Sequence, residues 1–315
     1  MALTTIAAGG RIAADQVRRD LTAGRRDTAG LVFQGVLLLC LLMAVLILVF
    51  LLVDVWGDGS EVLTGDLQAF LSRSFGARAP TSGVFQAMRG TFWIGVITVV
   101  TFPLGIAAAV YLEEYAPRSR FTNLVNVNIR NLSGVPSVVY GILALSFLVG
   151  TLGDLTGGRS LISGALAVAI LVLPIVIITS AEAVRAVPQA LREGAFGLGA
   201  TRWEVVRTQV LPYAAPGILT GTVLALARAL GEAAPLILVG AIDGRLVDRT
   251  GFFDLGQLTD SFTALPIAIT SWAGRPLNSG FFERSAAAIV VMLAIVLLAN
   301  STAIILRNRF EKQRG

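Results

Sequence analysis

The sequence has no histidine, and only one cysteine and one lysine among 315 residues. Without histidine there is no Ser-His-Asp or Cys-His nucleophile and no HExxH metal site. Cys40, alone in an apolar run, can form neither an intrachain disulfide nor a zinc cluster. Lys312 follows no glycine-rich turn, so the chain lacks the loop in which a lysine cradles nucleotide phosphates. Charge is scarce as well. Charged residues make up 14% of the chain, against about 25% in a soluble domain. Hydrophobic residues make up 55%, and the mean hydropathy is +0.77. A chain of this composition belongs in lipid.

A bilayer core takes roughly 20 apolar residues to cross as a helix. Six stretches qualify: Leu31 to Val53, Thr91 to Tyr111, Val135 to Leu152, Leu161 to Ser180, Pro216 to Ala241 and Ala286 to Leu306. The expected fold is an all-α membrane domain of six transmembrane helices over residues 31–306, with tails at 1–30 and 307–315. The first stretch reads as a retained anchor, because Asp54, Trp56 and Asp58 follow where a signal peptide carries small cleavage-site residues. Placing the N-terminus inside puts 16 basic residues in cytoplasmic segments and 7 in outer loops. By the positive-inside rule both termini then face the cytoplasm. The net charge of +5 is spread as topology requires, and no basic stretch is interleaved with stacking aromatics, so nucleic acid is not an expected partner. In the outer segment from Asp243 to Glu283, the apolar patch Phe262 to Trp272 is too short to span and predicts a helix lying at the interface. Pro103 with Gly105, Pro136 with Gly141, Pro174, and Gly231 with Pro235 interrupt the spans. Such breaks either kink helices for packing or line cavities.

The 35 residues from Ala181 to Ala215 exceed what a turn between two spans needs. Pro188 opens a helix at Gln189 to Glu193, Gly197 and Gly199 break it, and Thr201 with Glu204 makes a capping box for a second short helix. The result is a protruding knob, with Ala195, Phe196 and Leu198 as its socket and Glu193 and Arg202 at its rim. A membrane-surface amphipathic helix is the plainer reading. Glu193-Gly194-Ala195, Gly199 and Leu211-Pro212 stand at the spacing of the EAA loop of ABC-importer permeases, with Gly194 for the usual Ala and Gln209 for the usual Ile. The stretch resembles that loop. Val135-Pro136-Ser137-Val138-Val139-Tyr140-Gly141, the segment Ala225 to Leu236, Phe262-Thr263-Ala264-Leu265-Pro266 and the final Leu306-Arg307-Asn308-Arg309-Phe310 are similar to the PstA-type permeases of phosphate importers. The resemblance implies that Glu193, Gly194, Ala195, Phe196, Gly199 and Arg202 couple the chain to a cytoplasmic ATPase. It also implies two ATPase subunits holding ATP and Mg, a second permease of the PstC kind, and a periplasmic or lipid-anchored phosphate-binding protein. No cofactor is expected on this chain, and no enzymatic activity.

Arg228 stands at the midpoint of the fifth stretch, where an arginine costs about 2.5 to 3.5 kcal/mol to insert. The ten Leu, Ile and Val residues of that stretch return only about 0.3 to 0.6 kcal/mol each. The helix must therefore turn its polar face to protein or to a wet cavity. Glu232, at i+4 on the same face, is in reach as a partner. One reading is a self-neutralising structural pair. The other is that the guanidinium fork binds phosphate oxygens, which the resemblance of Arg228-Ala229-Leu230-Gly231-Glu232 to phosphate permeases favours. Arg89, just beyond the second stretch, reads as a snorkelling anchor. Ser133 has no histidine to activate it as a nucleophile. Two alternatives stay open: a permease for sulfate, molybdate or phosphonate, and a membrane enzyme acting on lipid phosphates. The latter needs clustered acids, and Glu113 with Glu114 is the nearest approach to a cluster.

Overall fold

The computed structural model describes residues 28–242, 244, 246 and 252–312. The N-terminal tail with its five arginines, and Arg245, Arg249 and Arg314, lie outside the described residues. Every regular element among the described residues is a helix. Contacts divide it into two units, residues 1–54 and 55–315. Helix α1 (Thr28–Ser72) supplies the described part of the first unit and continues into the second, with non-helical backbone at Asp66 (φ −152°, ψ 66°). Asp54, Trp56 and Asp58 are therefore helical, and the apolar stretch ends before the helix does.

Within residues 55–315 the bundle is built from α2 (Phe85–Val110), α3 (Arg120–Ser133), α4 (Ser137–Ala144), α5 (Leu161–Arg185), α6 (Gln189–Gly197), α7 (Arg202–Val205), α8 (Leu211–Gly231), α9 (Ala234–Val239), α10 (Leu265–Ala273) and α11 (Phe281–Lys312). Helix α2 runs on into a π-turn, Tyr111–Tyr115. A second π-turn, Leu145–Thr151, extends α4, and a third, Val206–Val210, links α7 to α8. Pro103, Pro174 and Pro216 sit inside α2, α5 and α8, which stay continuous. Two other prolines end helices. Pro136 holds the chain extended between α3 and α4, which bend by 103°. Helix α8 stops at Gly231, the residue whose carbonyl the ring of Pro235 would strike if the helix went on. The fifth apolar stretch is thus a helix, a break at Glu232 and Ala233, and a six-residue helix, α9.

Close packing rests on small residues, as bilayer helix pairs do. Ala165, Ala167, Val168, Val172 and Val176 of α5 are buried with Ala225 and Ala229 of α8. A Cβ on Gly217 would lie 2.8 Å from Ala183 Cβ, and one on Gly221 would lie 2.2 Å from Thr179 Oγ1. This sets an antiparallel register between α8 and α5, and it brings Arg228 level with Val172, the middle of α5.

At the end of the bundle away from the α6–α7 loop, Phe70, Phe75, Trp272 and Phe281 form a second core. Here the interfacial reading of Phe262 to Trp272 is corrected. Leu265, Pro266, Ile267, Ala268 and Trp272 of α10 are all buried, because this short helix fills the space between the second half of α1 and the start of α11. Arg89 is corrected too: at 6% exposure it is packed inside rather than snorkelling. On the same face of α2, Gln86 bonds to Leu246 O and Trp93 to Phe252 O, so this end of α2 is roofed by the segment after α9.

Candidate functional site

Two constellations carry the polar residues that the sequence singles out. The first is the loop between α5 and α8. Helix α6 ends at Gly197, Leu198 follows, and Gly199 takes φ +83°, a left-handed conformation that glycine adopts without strain. Thr201 then caps α7 in a full capping box: its Oγ1 accepts from Glu204 N, and the Glu204 carboxylate accepts from Thr201 N at 2.7 Å. The elbow and the capping box stand where the sequence puts them. Glu193, Gly194, Phe196, Gly199 and Arg202 are exposed, and Leu198 is 92% exposed. Ala195 differs from its expected place in the socket. It turns inward onto the apolar cluster of Val184, Val187, Val205, Val210, Ala214 and Ile218 beneath the loop. The outward apolar surface is Phe196, Leu198 and Trp203.

Five residues that the sequence reading left out of this site tie the loop to the bundle. Arg192 donates to Glu114 Oε1 from Nε at 3.1 Å and from Nη2 at 2.8 Å, to Val187 O at 2.6 Å and to Val184 O at 2.9 Å. Arg185 pairs with Glu113. The Arg202 guanidinium lies 5.8 Å from the centre of the Tyr115 ring. The acidic pair Glu113-Glu114 is therefore consumed by arginines. A signal existed in two adjacent acids ending one span and arginines flanking another, but the partners are far apart in sequence.

The second constellation is Arg228 with Glu232. Arg228 is in the last turn of α8, where the helix C-terminus favours a cation by about 0.3 to 1 kcal/mol. Its Nε donates to Glu232 Oε1 at 3.3 Å, although Glu232 has already left helical geometry (φ −79°, ψ 119°). The Arg228 side chain is 48% exposed and that of Glu232 16%. Arg228 lines a cavity of about 540 Å³ with Ser133, Ile175, Ile178, Thr179, Leu224 and Ala227. The hydroxyls of Ser133 and Thr179 donate to Arg130 O at 2.7 Å and Ile175 O at 2.9 Å. Their lone pairs remain as acceptors. The cavity thus joins a guanidinium donor to hydroxyl acceptors between α3, α5 and α8. Among the described residues no cluster of three or more acids or cysteines is placed to hold a metal ion.

Comparison with known proteins bears on this arrangement. The pattern of the binding-protein-dependent transport system inner membrane component family matches residues 101–313. A phosphate transport system permease protein, PstA 1 of Mycobacterium tuberculosis, is 33% identical over 71% of this chain and 70% of its own length. The PstA permease of Haemophilus influenzae is 28% identical over 90% of this chain and 96% of its own. A probable ABC transporter permease protein of Bacillus subtilis, YqgI, is 37% identical, but the aligned part is 55% of this chain and 58% of that relative. Among solved structures, the bacterial alginate ABC transporter superposes with a TM-score of 0.62 over 90% of this chain and 98% of that chain, at 14% identity. An inward-facing MetNI methionine transporter superposes at 0.54 over 72% of this chain and 97% of that chain, at 16% identity. These two share the fold. The chain belongs to the binding-protein-dependent transport system inner membrane component family: it is a multi-pass permease subunit of an ABC importer in the cytoplasmic membrane, working with a partner permease, an ATPase and a binding protein.

Proposed function

We propose that the chain is the PstA-type subunit of an importer of inorganic phosphate, and that Arg228 and Glu232 stand on the path of the anion. The carrying observation is the state of the Arg228 guanidinium. Glu232 engages Nε, and the side chain is half exposed against the cavity at the mid-depth of α5. An edge of terminal nitrogens on a planar fork suits the oxygens of a phosphate. Ser133, Thr179 and Glu232 add acceptors, which suit an oxyanion that still carries an O–H. Hydrogenphosphate has one and sulfate at neutral pH has none. The phosphate permeases among the relatives support the same reading.

The chain itself holds no nucleotide in this reading. ATP and Mg are bound by two partner ATPase subunits, one of which docks on the knob of Glu193, Gly194, Phe196, Gly199 and Arg202. A PstC-like permease completes the pathway, and a periplasmic or lipid-anchored binding protein delivers phosphate. Both termini and the knob face the cytoplasm. Nucleotide binding biases two global states, and the cavity beside Arg228 opens to opposite sides in turn.

Uptake of labelled phosphate, normalised to assembled complex in the membrane, tests the site. Arg228→Lys keeps the charge but loses the fork. It is expected to fail as Arg228→Gln does, by on the order of tenfold or more, since one charge-assisted hydrogen bond is worth about 1.5 to 3 kcal/mol. Full transport by Arg228→Lys, or rescue of Arg228→Gln by Glu232→Gln, makes the pair structural and removes the anion site from this depth.

A further inference from the structure

The acidic pair at the end of α2 has no place in anion transport as described above, yet it makes the densest ion-pair contacts in the described structure. Glu113 and Glu114 lie in the π-turn Tyr111–Tyr115, and the wider i→i+5 turn is a form found often at functional positions. Glu114 and Arg192 are both largely buried, with side chains 12% and 13% exposed. Arg192 spends its guanidinium on three separate points: the Glu114 carboxylate at the end of α2 and the carbonyls of Val184 and Val187 at the end of α5. Those two carbonyls belong to the last turn of α5 and the residues after it, where an unpartnered carbonyl attracts a cation. Glu113 in turn holds Arg185, the last residue of α5. Beneath these pairs a single apolar cluster joins the loop to the same helices. Val184 and Val187 meet Val205, Val210, Ala214 and Ile218, with Ile106 and Val110 of α2 and Ala195 of α6 packed against them.

We propose that Glu114 and Arg192 are the positioning pair that couples the knob to the spans, so that α6, the end of α2 and the end of α5 move as one body when the ATPase moves the knob. This rests on the reading of the knob as the ATPase contact. A knob attached only through the backbone at its two ends would tilt without moving a helix. A guanidinium shared between a carboxylate and two carbonyls cannot be displaced without stranding several buried polar groups, so tilting the knob drags α2 and α5 with it. Helices α2 and α5 also carry residues of the central core, including Ile94, Phe102, Val168 and Val176. Displacement at Arg192 thus reaches the level of Arg228 through packed side chains, with no contact between Arg192 and the anion.

The test uses the whole importer reconstituted in liposomes with its ATPase subunits and binding protein, with labelled inorganic phosphate as the probe. ATP hydrolysis and phosphate uptake are measured on the same vesicles. Glu114→Gln and Arg192→Lys are each expected to lower phosphate taken up per ATP hydrolysed by about fivefold or more, the low end of ordinary coupling between sites, while the ATPase subunit still co-purifies. An unchanged ratio in both variants overturns the proposal. Should either variant lose the ATPase, Glu114→Cys with Arg192→Cys in a Cys40→Ser background replaces it. Joining the two thiols with a short bifunctional reagent is expected to restore uptake per ATP; no recovery, or a block, means that the two points separate during the cycle and overturns the proposal. Leu198→Asp tests the knob reading separately. If that variant keeps both the ATPase and normal uptake, the knob reading itself fails, whatever Glu114 does.

Discussion

Gly199 and Gly141 show two different reasons for a glycine, and they predict different failures. At Gly199 φ is +83° and an added Cβ would meet nothing within 4 Å, so a side chain there is opposed by backbone conformation alone. Asparagine tolerates that conformation and a β-branched residue does not, at a cost of about 1 to 2 kcal/mol. Gly199→Asn is expected to keep uptake and ATPase co-purification near the parent level, and Gly199→Val to lose both together while membrane insertion survives. Equal behaviour of the two variants would remove the elbow's role. Gly141 has no special φ, but a Cβ would lie 2.6 Å from Leu238 Cδ1 and 2.9 Å from Pro235 Cα. Gly141→Ala is expected to destabilise the α4–α9 contact by about 1 to 3 kcal/mol, the usual range for overpacking. A lowered thermal midpoint of the purified complex reads this out. The elbow at Gly199 was legible in the sequence because its signals, Gly197, Gly199 and a capping box, are neighbours. The reason for Gly141 was not, because it lies in a helix brought alongside only by the fold.

At the scale of elements, hydropathy found the apolar stretches, and single residues marked their interruptions: Gly231 with Pro235 ends a helix, whereas Pro103 and Pro174 leave theirs continuous. Averaging over a window reads Pro216 to Ala241 as one span, whereas Pro235 forbids the helix from continuing past Gly231 and frees Glu232 from helical geometry. Helix α3 sits in a stretch read as connection, since its alternation of Asn with Leu and Val is too polar for a span. Helix α10 went astray for the opposite reason: it is apolar but too short to cross, and an interface and a protein core look alike in composition. Trp272 decides between them. It is 1% exposed and lies 5.3 Å from the Phe75 ring and 5.9 Å from the Phe281 ring, centre to centre. With Trp56, Trp93 and Trp203 replaced by Phe, its emission is expected to resist quenching by brominated lipids and by iodide. Strong lipid quenching would restore the interfacial reading. Trp272→Ala is expected to cost about 3 to 5 kcal/mol of local stability, as buried aromatic truncations do, seen as faster proteolysis near residues 73–84.

For the whole molecule the open physical question is which end faces which solution, because a helical bundle in lipid packs equally well either way up. Charge makes the choice during insertion. The assignment that places 16 Arg and Lys with the α6–α7 loop and both termini leaves 7 at the other end. Three of those seven have structural employment there. Arg284 donates to Ser82 O, Arg275 covers the Phe281 ring at 4.0 Å, and Arg73 lies 3.8 Å from Asp66. Arginines held to the fold in this way serve packing at that end, as Arg185, Arg192 and Arg202 do at the other, so the asymmetry of 16 to 7 is what steers insertion. The chain has one cysteine, Cys40, and Cys40→Ser provides a background without reactive thiols. In that background Leu198→Cys samples the knob, where the side chain is 92% exposed, and Leu277→Cys samples the opposite end at 73%. A membrane-impermeant maleimide added to intact spheroplasts is expected to label Leu277→Cys at once and Leu198→Cys only after the membrane is permeabilised. The reverse pattern would put the knob on the outside, out of reach of any ATP-hydrolysing partner, and would overturn the coupling reading together with the topology.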